Sequence, residues 1–492
     1  MISLDVDQDK FLNSFKSNLN DFKYDFFILK GQAGSGKSTI INECVQICKK
    51  NRLHFEVLAF TGRAASILKS TEINNPKTIH RWISEVKKNK YFMNLDSNLA
   101  KDESFTIFID EASMIPNSGI FNDQSGYELS FLLDELMWVA YKHLPFKNIF
   151  IIFIGDPSQL PPIYENFSSA LDLNFIKKRY ELNGLEFSLK NIYRQKSNSK
   201  ILKFSKNFKK NKSIEDIPIP NFDNEEVFEL EEENVAAEFL KFYESNSNCI
   251  KIISPDNKTA EKYNFQIKKF MYDPWAMIDN YSNKYSKGSF VKDKFLLPQV
   301  GDILQISKND YNNELFNGQF VKIKEVNDLE YIVGIRNKLN ILSDIEIDEI
   351  PFIHQKIRVE LVDESGKKTP DKNITISIDF LLNNFYISEN EFNFFEDPQN
   401  GFISEIKDEI WNSNLDSKLK RISASNEILN PTYCKYGFSI TGHKAQGGGW
   451  ENVIIDFSHF QTSKGDVSPS WIYTSLTRSK SKVFIVNYPS NA

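Results

Sequence analysis

Three observations predict an α/β architecture built on parallel sheets. First, FFILKG (26–31), FEVLAFTG (55–62), FTIFIDEAS (105–113) and NIFIIFIGDPSQ (148–159) are apolar runs that turn polar at their C-terminal ends. Second, helix-like segments separate them. Third, the first run leads straight into GQAGSGKST (31–39), a glycine-rich loop followed by the helical stretch TIINECVQIC. Continuous apolar runs suit central parallel strands covered on both faces by helices. Ligands of such sheets sit beyond the C-terminal strand ends, so the four polar tips are expected along one edge.

A second region of the same kind begins near Asn191. CIKIISPDNKTAEKYN (249–264) reads as strand, turn and helix. ENVIIDF (451–457) and KVFIVNY (482–488) read as strands, with SWIYTSLTRSK (470–480) as a helix between them. Between these parts lie short β-like runs, among them VGDILQIS, GQFVKIKEV, KIRVELV and NITISID, broken by Gly, Asn and Asp. They predict a β-rich insertion. The polar excursion EVKKNKYFMNLDSNLAKDES (85–104) predicts a small hairpin insertion in the first sheet domain. The expected domains are therefore residues 1–84 with 105–190, the hairpin 85–104, residues 191–285 with 431–492, and the β-rich insertion 286–430.

A chain of 492 residues is long enough for two to four domains. No apolar run is long enough to cross a bilayer, and MISLDVDQDK has no apolar signal core. A cytoplasmic protein of prokaryotic or phage origin, with no membrane partner, is expected. Cys44 and Cys48 stand at helical rather than metal-knuckle spacing, so all four cysteines read as free thiols. The net charge of −6 disfavours a protein that coats nucleic acid over its whole surface. A local anion-binding face remains open, because residues 177–212 hold twelve Lys or Arg against two Glu. Within it, Lys200, Lys203, Lys206, Lys209 and Lys210 are spaced for one side of a helix.

GQAGSGKST matches the phosphate-binding loop pattern in the strand–loop–helix setting that gives the pattern its meaning. Gly31, Gly34, Ser35 and Gly36 let backbone amides wrap phosphate oxygens, at a helix N-terminus that favours negative charge. Lys37 neutralises the β- and γ-phosphates, and Ser38, followed by Thr39, supplies a hydroxyl to Mg²⁺. Asp110 and Glu111 stand at the tip of an apolar strand. The first suits metal binding, directly or through water; the second suits deprotonation of attacking water. In GDPSQLPP (155–162), Gln159 can hydrogen-bond both the γ-phosphate and that water. DNKTA (256–260) lacks the final Asp of a guanine-reading motif, so ATP is favoured over GTP.

Taken in order, GQAGSGKST, FTGRAA, TIH, DEAS, GDPSQLPP, YRQ, HKAQG and YTSLTRSK resemble the superfamily 1 helicases, and within them the RecD-like, Pif-type and phage Dda-type DNA helicases. GDPSQLPP and HKAQG carry the closer match. The resemblance covers most of the chain except the middle insertion. It implies two RecA-like P-loop motor domains, the second interrupted by an SH3-like insertion bordered by an Asn-Gly segment such as Asn317 in FNGQFVKI. It implies an ATP- and Mg²⁺-dependent helicase that moves 5′-to-3′ on single-stranded DNA, unwinds duplex or forked DNA, works as a monomer and serves replication, repair or recombination. ATP hydrolysis in the cleft between the motor domains would drive strand movement.

The resemblance also implies site residues. Gln8 would read adenine, and Gly447 would border the nucleotide. Arg194 in YRQ and Arg478 in LTRSK would reach the γ-phosphate. Thr61, Gly62, Arg63, Thr78, His80, Pro255, Asn257, Asn317, His443, Lys444 and Gln446 would face nucleic acid. Read from the residues themselves, Tyr91 and Phe92 in the polar excursion suit either a hairpin that wedges a duplex apart or the core of a small subdomain. The chain departs from the family where Gly448 and Gly449 follow HKAQG, and where Ser475 replaces an Ala. The motifs leave open an RNA helicase of the same superfamily, or a nucleic-acid-binding ATPase without strand separation. No fused nuclease and no iron–sulfur cluster are expected.

Overall fold

The computed structural model describes residues 4–70, 76–88, 104–117, 120–121, 128–129, 131–163, 165–193, 199–208, 220, 222, 225–272, 294–332, 352–362, 370–378, 380–382, 430–458 and 468–488. The chain divides into two compact units, Met1–Leu230 with Gly442–Ala492, and Glu231–Thr441.

The first unit is built on a six-stranded sheet. Its strands are β1 (Phe26–Gly31), β2 (His54–Ala59), β3 (Lys77–Thr78), β4 (Ser104–Asp110), β7 (Asn148–Gly155) and β8 (Gly184–Leu189), with a two-stranded ribbon of β5 (Ile120–Phe121) and β6 (Glu128–Leu129) apart from it. The order is β3-β2-β4-β7-β1-β8, and each neighbouring pair is parallel. All seven residues of β4 are buried. Alternation along each strand feeds two cores: Phe26 and Ile28 of β1 enter one, Phe27 and Leu29 the other. The first core packs under α4 (Ile79–Lys87), α5 (Leu132–His143) and α6 (Leu173–Tyr180). The second packs under α1 (Val6–Asp21), α2 (Lys37–Lys50) and α3 (Gly62–Ser70). A sheet covered on both faces is what the continuous apolar runs require. Part of the heavy Phe usage is spent here, as in the edge-to-face pair Phe27–Phe150 with ring centroids 4.9 Å apart.

Among the described residues, the basic stretch after residue 198 forms a short helix, α7 (Lys200–Ser205), continued by a 3-10 turn at Lys206–Phe208. Its N-cap is shared: Ser199 caps Leu202, while Glu226 accepts from Ser199 Oγ and the Lys200 amide. Lys209 and Lys210 lie outside the described residues, as do the proposed wedge residues Tyr91 and Phe92. Strand β9 (Val227–Glu229) closes this part of the chain.

The second unit contains α8 (Val235–Ser245), β10 (Ile250–Ser254) and α9 (Asn257–Tyr272). An antiparallel sheet follows, from β11 (Ile303–Ile306), β12 (Phe320–Ile332), β13 (Phe352–Leu361), β14 (Lys372–Ser377) and β15 (Cys434–Tyr436), ordered β14-β13-β12-β11-β15. Within the expected insertion 286–430 the described residues hold β11 to β14, and the edge strand β15 comes from beyond that range, paired through Leu304 with Tyr436. Strand β16 (Ser439–Thr441) then pairs in parallel with β10. A saturated polar cluster ties α9 to this sheet. Lys268 and Asp302 are fully buried and 2.6 Å apart; Asp302 also accepts from Tyr272 and the Gln299 amide.

The chain returns to the first unit with α10 (Gly442–Ala445), β17 (Trp450–Asp456), α11 (Pro469–Leu476) and β18 (Ser479–Val486). Strands β17, β18 and β9 form consecutive parallel pairs. Helix α11 starts with Ser468 as its N-cap and Pro469 at its first position, an arrangement that pre-sets helical geometry. The sequence groups residues 431–492 with 191–285; residues 442–492 lie in the first unit, where β18 pairs with β9 of the 191–285 segment and α10 and α11 also meet the chain after β7, as described next.

Candidate nucleotide-binding site

The phosphate loop leaves β1 at Gly31 and enters α2 at Lys37. Gly34 and Gly36 have φ of +81° and +87°, the left-handed region where a side chain is strained. Lys37 Nζ donates to the Gly31 and Gln32 carbonyls at 2.8 and 3.1 Å, which holds the ammonium against the loop it serves. Ser35 is buried, whereas Ser38 and Thr39 are half-buried at the start of α2.

Gln8 is set by a capping box at the start of α1. Its amide donates to Asp5 Oδ1 at 2.8 Å, and its Oε1 accepts from the Asp5 amide at 3.1 Å. This leaves Nε2 turned to the loop, where it would stand 2.6 Å from a Cβ built on Gly36. Tyr193 reaches the same place: its amide donates to Gly34 O at 2.7 Å and its hydroxyl to Asp5 Oδ2 at 2.6 Å. Burial alone would raise the Asp5 pKa, but the bonds from Tyr193, the Gln8 amide and Asn191 outweigh it and hold it below the ordinary value. Tyr193 and Asp5 were not singled out from sequence. The aromatic beside Arg194 in YRQ was the available signal for Tyr193. Arg194 itself lies outside the described residues.

Asp110 ends β4, buried, and accepts from the Glu111 amide at 2.9 Å. Burial and then the Glu111 charge push its pKa above the carboxylate range, against the pull of Lys37. Glu111 holds φ of +52°, unusual for a residue with a side chain, and its Oε2 is buried without a hydrogen-bond partner. A buried carboxylate with a second carboxylate at its side has the donor chemistry for a divalent cation.

The chain after β7 joins the loop to the C-terminal elements. Asp156 is buried; its Oδ2 accepts from the Ala33 amide at 3.1 Å and from the Tyr473 hydroxyl of α11 at 3.0 Å. Leu160 donates its amide to Thr474 Oγ1 and accepts from Gln446 Nε2, both at 3.0 Å. Gln159 is buried, with Oε1 lacking a hydrogen-bond partner. Glu111 and Gln159 follow β4 and β7, which are neighbouring parallel strands. Asp156, Tyr473 and Thr474 are further residues that sequence reasoning missed. Their role depends on a contact more than 300 positions away in the chain, which no local pattern encodes.

The residues expected at the phosphate end and in HKAQG are thus brought together in the first unit. The other expected residues each have their own placement. Arg478 is buried, with Nε on Thr474 O at 3.1 Å, Nη1 on Gly448 O at 2.9 Å and Nη2 on Thr477 Oγ1 at 3.3 Å. Arg63 is only 6% exposed, its guanidinium 4.6 Å from the Trp450 ring centroid. Thr61 Oγ1 accepts from the Ala64 amide, Gly62 begins α3 and Thr78 caps α4 through the Arg81 amide. His80 is exposed, Lys444 is half-buried, and His443 has its pKa lowered by burial despite a bond to the Pro161 backbone. Gly447 has φ of +75°. Pro255 and Asn257 lie at the β10–α9 turn of the second unit, and Asn317 begins an exposed Asn-Gly turn there, its amide bonded to Asn309 Oδ1. Among the described residues there is no group of His, Cys, Asp and Glu spaced to hold a metal by itself, and no helix long and apolar enough to cross a membrane.

The strand, glycine-rich loop and helix at residues 26–50 have the form of a P-loop. Residues 17–165 match the model of an AAA domain, and residues 436–486 match that of a UvrD-like helicase C-terminal domain. The likeness to superfamily 1, Pif1-like helicases read from the motifs is borne out. The ATP-dependent DNA helicase PIF1 of Saccharomyces cerevisiae is 24% identical over 324 residues, covering 61% of this chain and 34% of its own length. An uncharacterized protein of Methanocaldococcus jannaschii is 23% identical over 529 residues, covering 98% of this chain and 38% of its own length. The chain therefore spans well under half the length of both relatives. A crystal structure of Pif1 helicase from Candida albicans aligns over 99% of this chain and 96% of that one, at 17% identity and a TM-score of 0.48.

Proposed function

We propose that the protein is an ATP-driven DNA helicase that moves 5′-to-3′ along single-stranded DNA and separates duplex strands. The observation that carries this reading is the meeting, in one unit, of the phosphate loop, the Asp110–Glu111 pair and Gln159 with the HKAQG loop and α11. A nucleotide-only switch has no need for the last two; a motor needs them to pass the state of the phosphate site to the strand.

In this reading the loop amides and Lys37 hold the triphosphate, and Gln8 and Tyr193 hold the base. Ser38 and Asp110 would hold a Mg²⁺ ion, which would neutralise charge growing on the phosphoryl oxygens. Glu111 Oε2, buried and unpartnered, takes the proton of the attacking water, and Gln159 Oε1 orients it. Asp156 links the loop to α11 through Ala33 and Tyr473, so a shift at the phosphates reaches the helix that precedes Arg478. The single-strand contacts belong to Thr61, His80, His443, Lys444, Pro255, Asn257 and Asn317, with the β-rich insertion acting as an SH3-like accessory and residues 85–104 as the strand wedge. The protein acts as a monomer on forked DNA.

The test offers forked DNA with a 5′ or a 3′ tail, and the RNA equivalents, with ATP and Mg²⁺ against a Lys37→Ala control. Unwinding from the 5′-tailed DNA alone is expected. Unwinding only from a 3′ tail overturns the polarity, and preference for RNA overturns the substrate. No nucleic-acid-stimulated hydrolysis overturns the motor.

A further inference from the structure

We infer that Arg63 is a positioning residue for hydrolysis, fixing the Gly447–Gly448 turn and, through it, the guanidinium of Arg478. The inference rests on the hydrolase reading above and adds to it a residue that the resemblance would send to the nucleic-acid face.

The geometry begins with Gly448. A Cβ built there would stand 2.1, 2.4 and 2.6 Å from Nη2, Cζ and Nη1 of Arg63. Real Cβ atoms do not approach that closely, so the missing side chain is space that the guanidinium fills. The guanidinium also lies 4.6 Å from the centroid of the Trp450 ring, two residues further along the same loop. Arg63, buried at the start of α3, is therefore in contact with the GGGW segment at both Gly448 and Trp450.

The same glycine is also engaged by Arg478. Its carbonyl accepts Nη1 of Arg478 at 2.9 Å, and the Arg478 carbonyl accepts the Trp450 amide at 2.9 Å. Gly447, one residue earlier, would place a Cβ 3.8 Å from Glu111 Oε1 and 3.7 Å from the Cβ of Ala64, the neighbour of Arg63. One turn of bare backbone thus lies between the carboxylate read as the base and the arginine read as a γ-phosphate ligand. Arg63 sets where that turn sits. A flexible or displaced turn would misplace both groups, and misplacement near reacting atoms is costly in rate even where binding survives.

The test is a double-mutant cycle of Arg63→Ala and Gly448→Ala, with Arg63→Lys as a third variant. Thermal midpoint, nucleotide KM, kcat and single-stranded DNA affinity are measured for each. Arg63→Ala is expected to lower kcat roughly tenfold to a hundredfold, in the presence and absence of DNA, with KM for ATP within about twofold. Arg63→Lys does not restore it, because a compact ammonium cannot cover the Trp450 ring. Gly448→Ala lowers kcat and the midpoint in the parent protein, yet adds nothing in the Arg63→Ala background, where the clash is gone. Equal costs of Gly448→Ala in both backgrounds overturn the inference. So does an Arg63→Ala variant that loses DNA affinity while keeping its DNA-free kcat, the signature of a strand contact. If the parent protein itself does not hydrolyse ATP, the hydrolase reading fails; an active parent with an unaffected Arg63→Ala overturns this inference alone.

Discussion

The loop at residues 31–39 and the loop at residues 442–450 are both rich in glycine, but the glycines serve different physical ends. In the first, Gly34 and Gly36 supply left-handed backbone that turns the chain from β1 into α2. In the second, Gly447 also supplies left-handed backbone, while Gly448 supplies volume for the Arg63 guanidinium. A glycine used for conformation is strained by any side chain. A glycine used for space is harmed only while its neighbour is present. Motif spacing reveals the first use; only packing reveals the second.

Four substitutions break or sharpen that contrast. The largest effect belongs to the loop with chemistry in it: Lys37→Ala is expected to lower kcat by at least about a hundredfold, since it removes a fixed charge from the site of phosphoryl transfer. Steady-state hydrolysis checks this, and retention of activity would remove the phosphate loop from the mechanism. Next, Gly448→Ala should cost about 1–3 kcal/mol of stability, the usual toll of overpacking, read as a lowered urea midpoint with unchanged slope. Gly36→Ala follows at about 1–2 kcal/mol, from the left-handed backbone, since the Gln8 amide can move aside. Removal of Gln8 should not relieve that cost; relief would mean that Gly36 is a glycine of space after all. The smallest is Gly301→Ala in the second unit, where φ is +97° and nothing lies within 4 Å of the added Cβ. It isolates backbone strain, at about 1 kcal/mol, and an effect as large as that of Gly448→Ala would erase the distinction.

The link between the loops gives one more prediction. Tyr473→Phe removes one hydrogen bond to Asp156 and leaves its Oδ2 with the Ala33 amide. The stability cost should be near 1 kcal/mol, but DNA stimulation of hydrolysis should fall further than DNA-free hydrolysis. Equal loss of both would make the contact a packing feature with no part in coupling.

Much of the first sheet was legible in the sequence. The strands at Phe26–Gly31, Ser104–Asp110 and Asn148–Gly155 follow from continuous apolar runs, and their polar tips hold Lys37, Asp110, Glu111 and Gln159. The β-rich middle was legible as a class, although its edge strand Cys434–Tyr436 was not, because strand pairing is a long-range choice that a three-residue segment does not announce. Arg63 and Arg478 were visible as arginines in motifs, yet motif position could not show that both turn inward onto Gly448.

The sequence by itself determined the parallel α/β plan, the phosphate loop and the carboxylate pair, because local periodicity and short-range spacing encode them. Tertiary structure alone decided that Asp156 joins Ala33 to Tyr473, that Tyr193 closes over Gly34, and that Gly448 is empty so that Arg63 can be there. Each of those depends on atoms brought together from distant parts of the chain, where the deciding quantity is the space between side chains rather than their order.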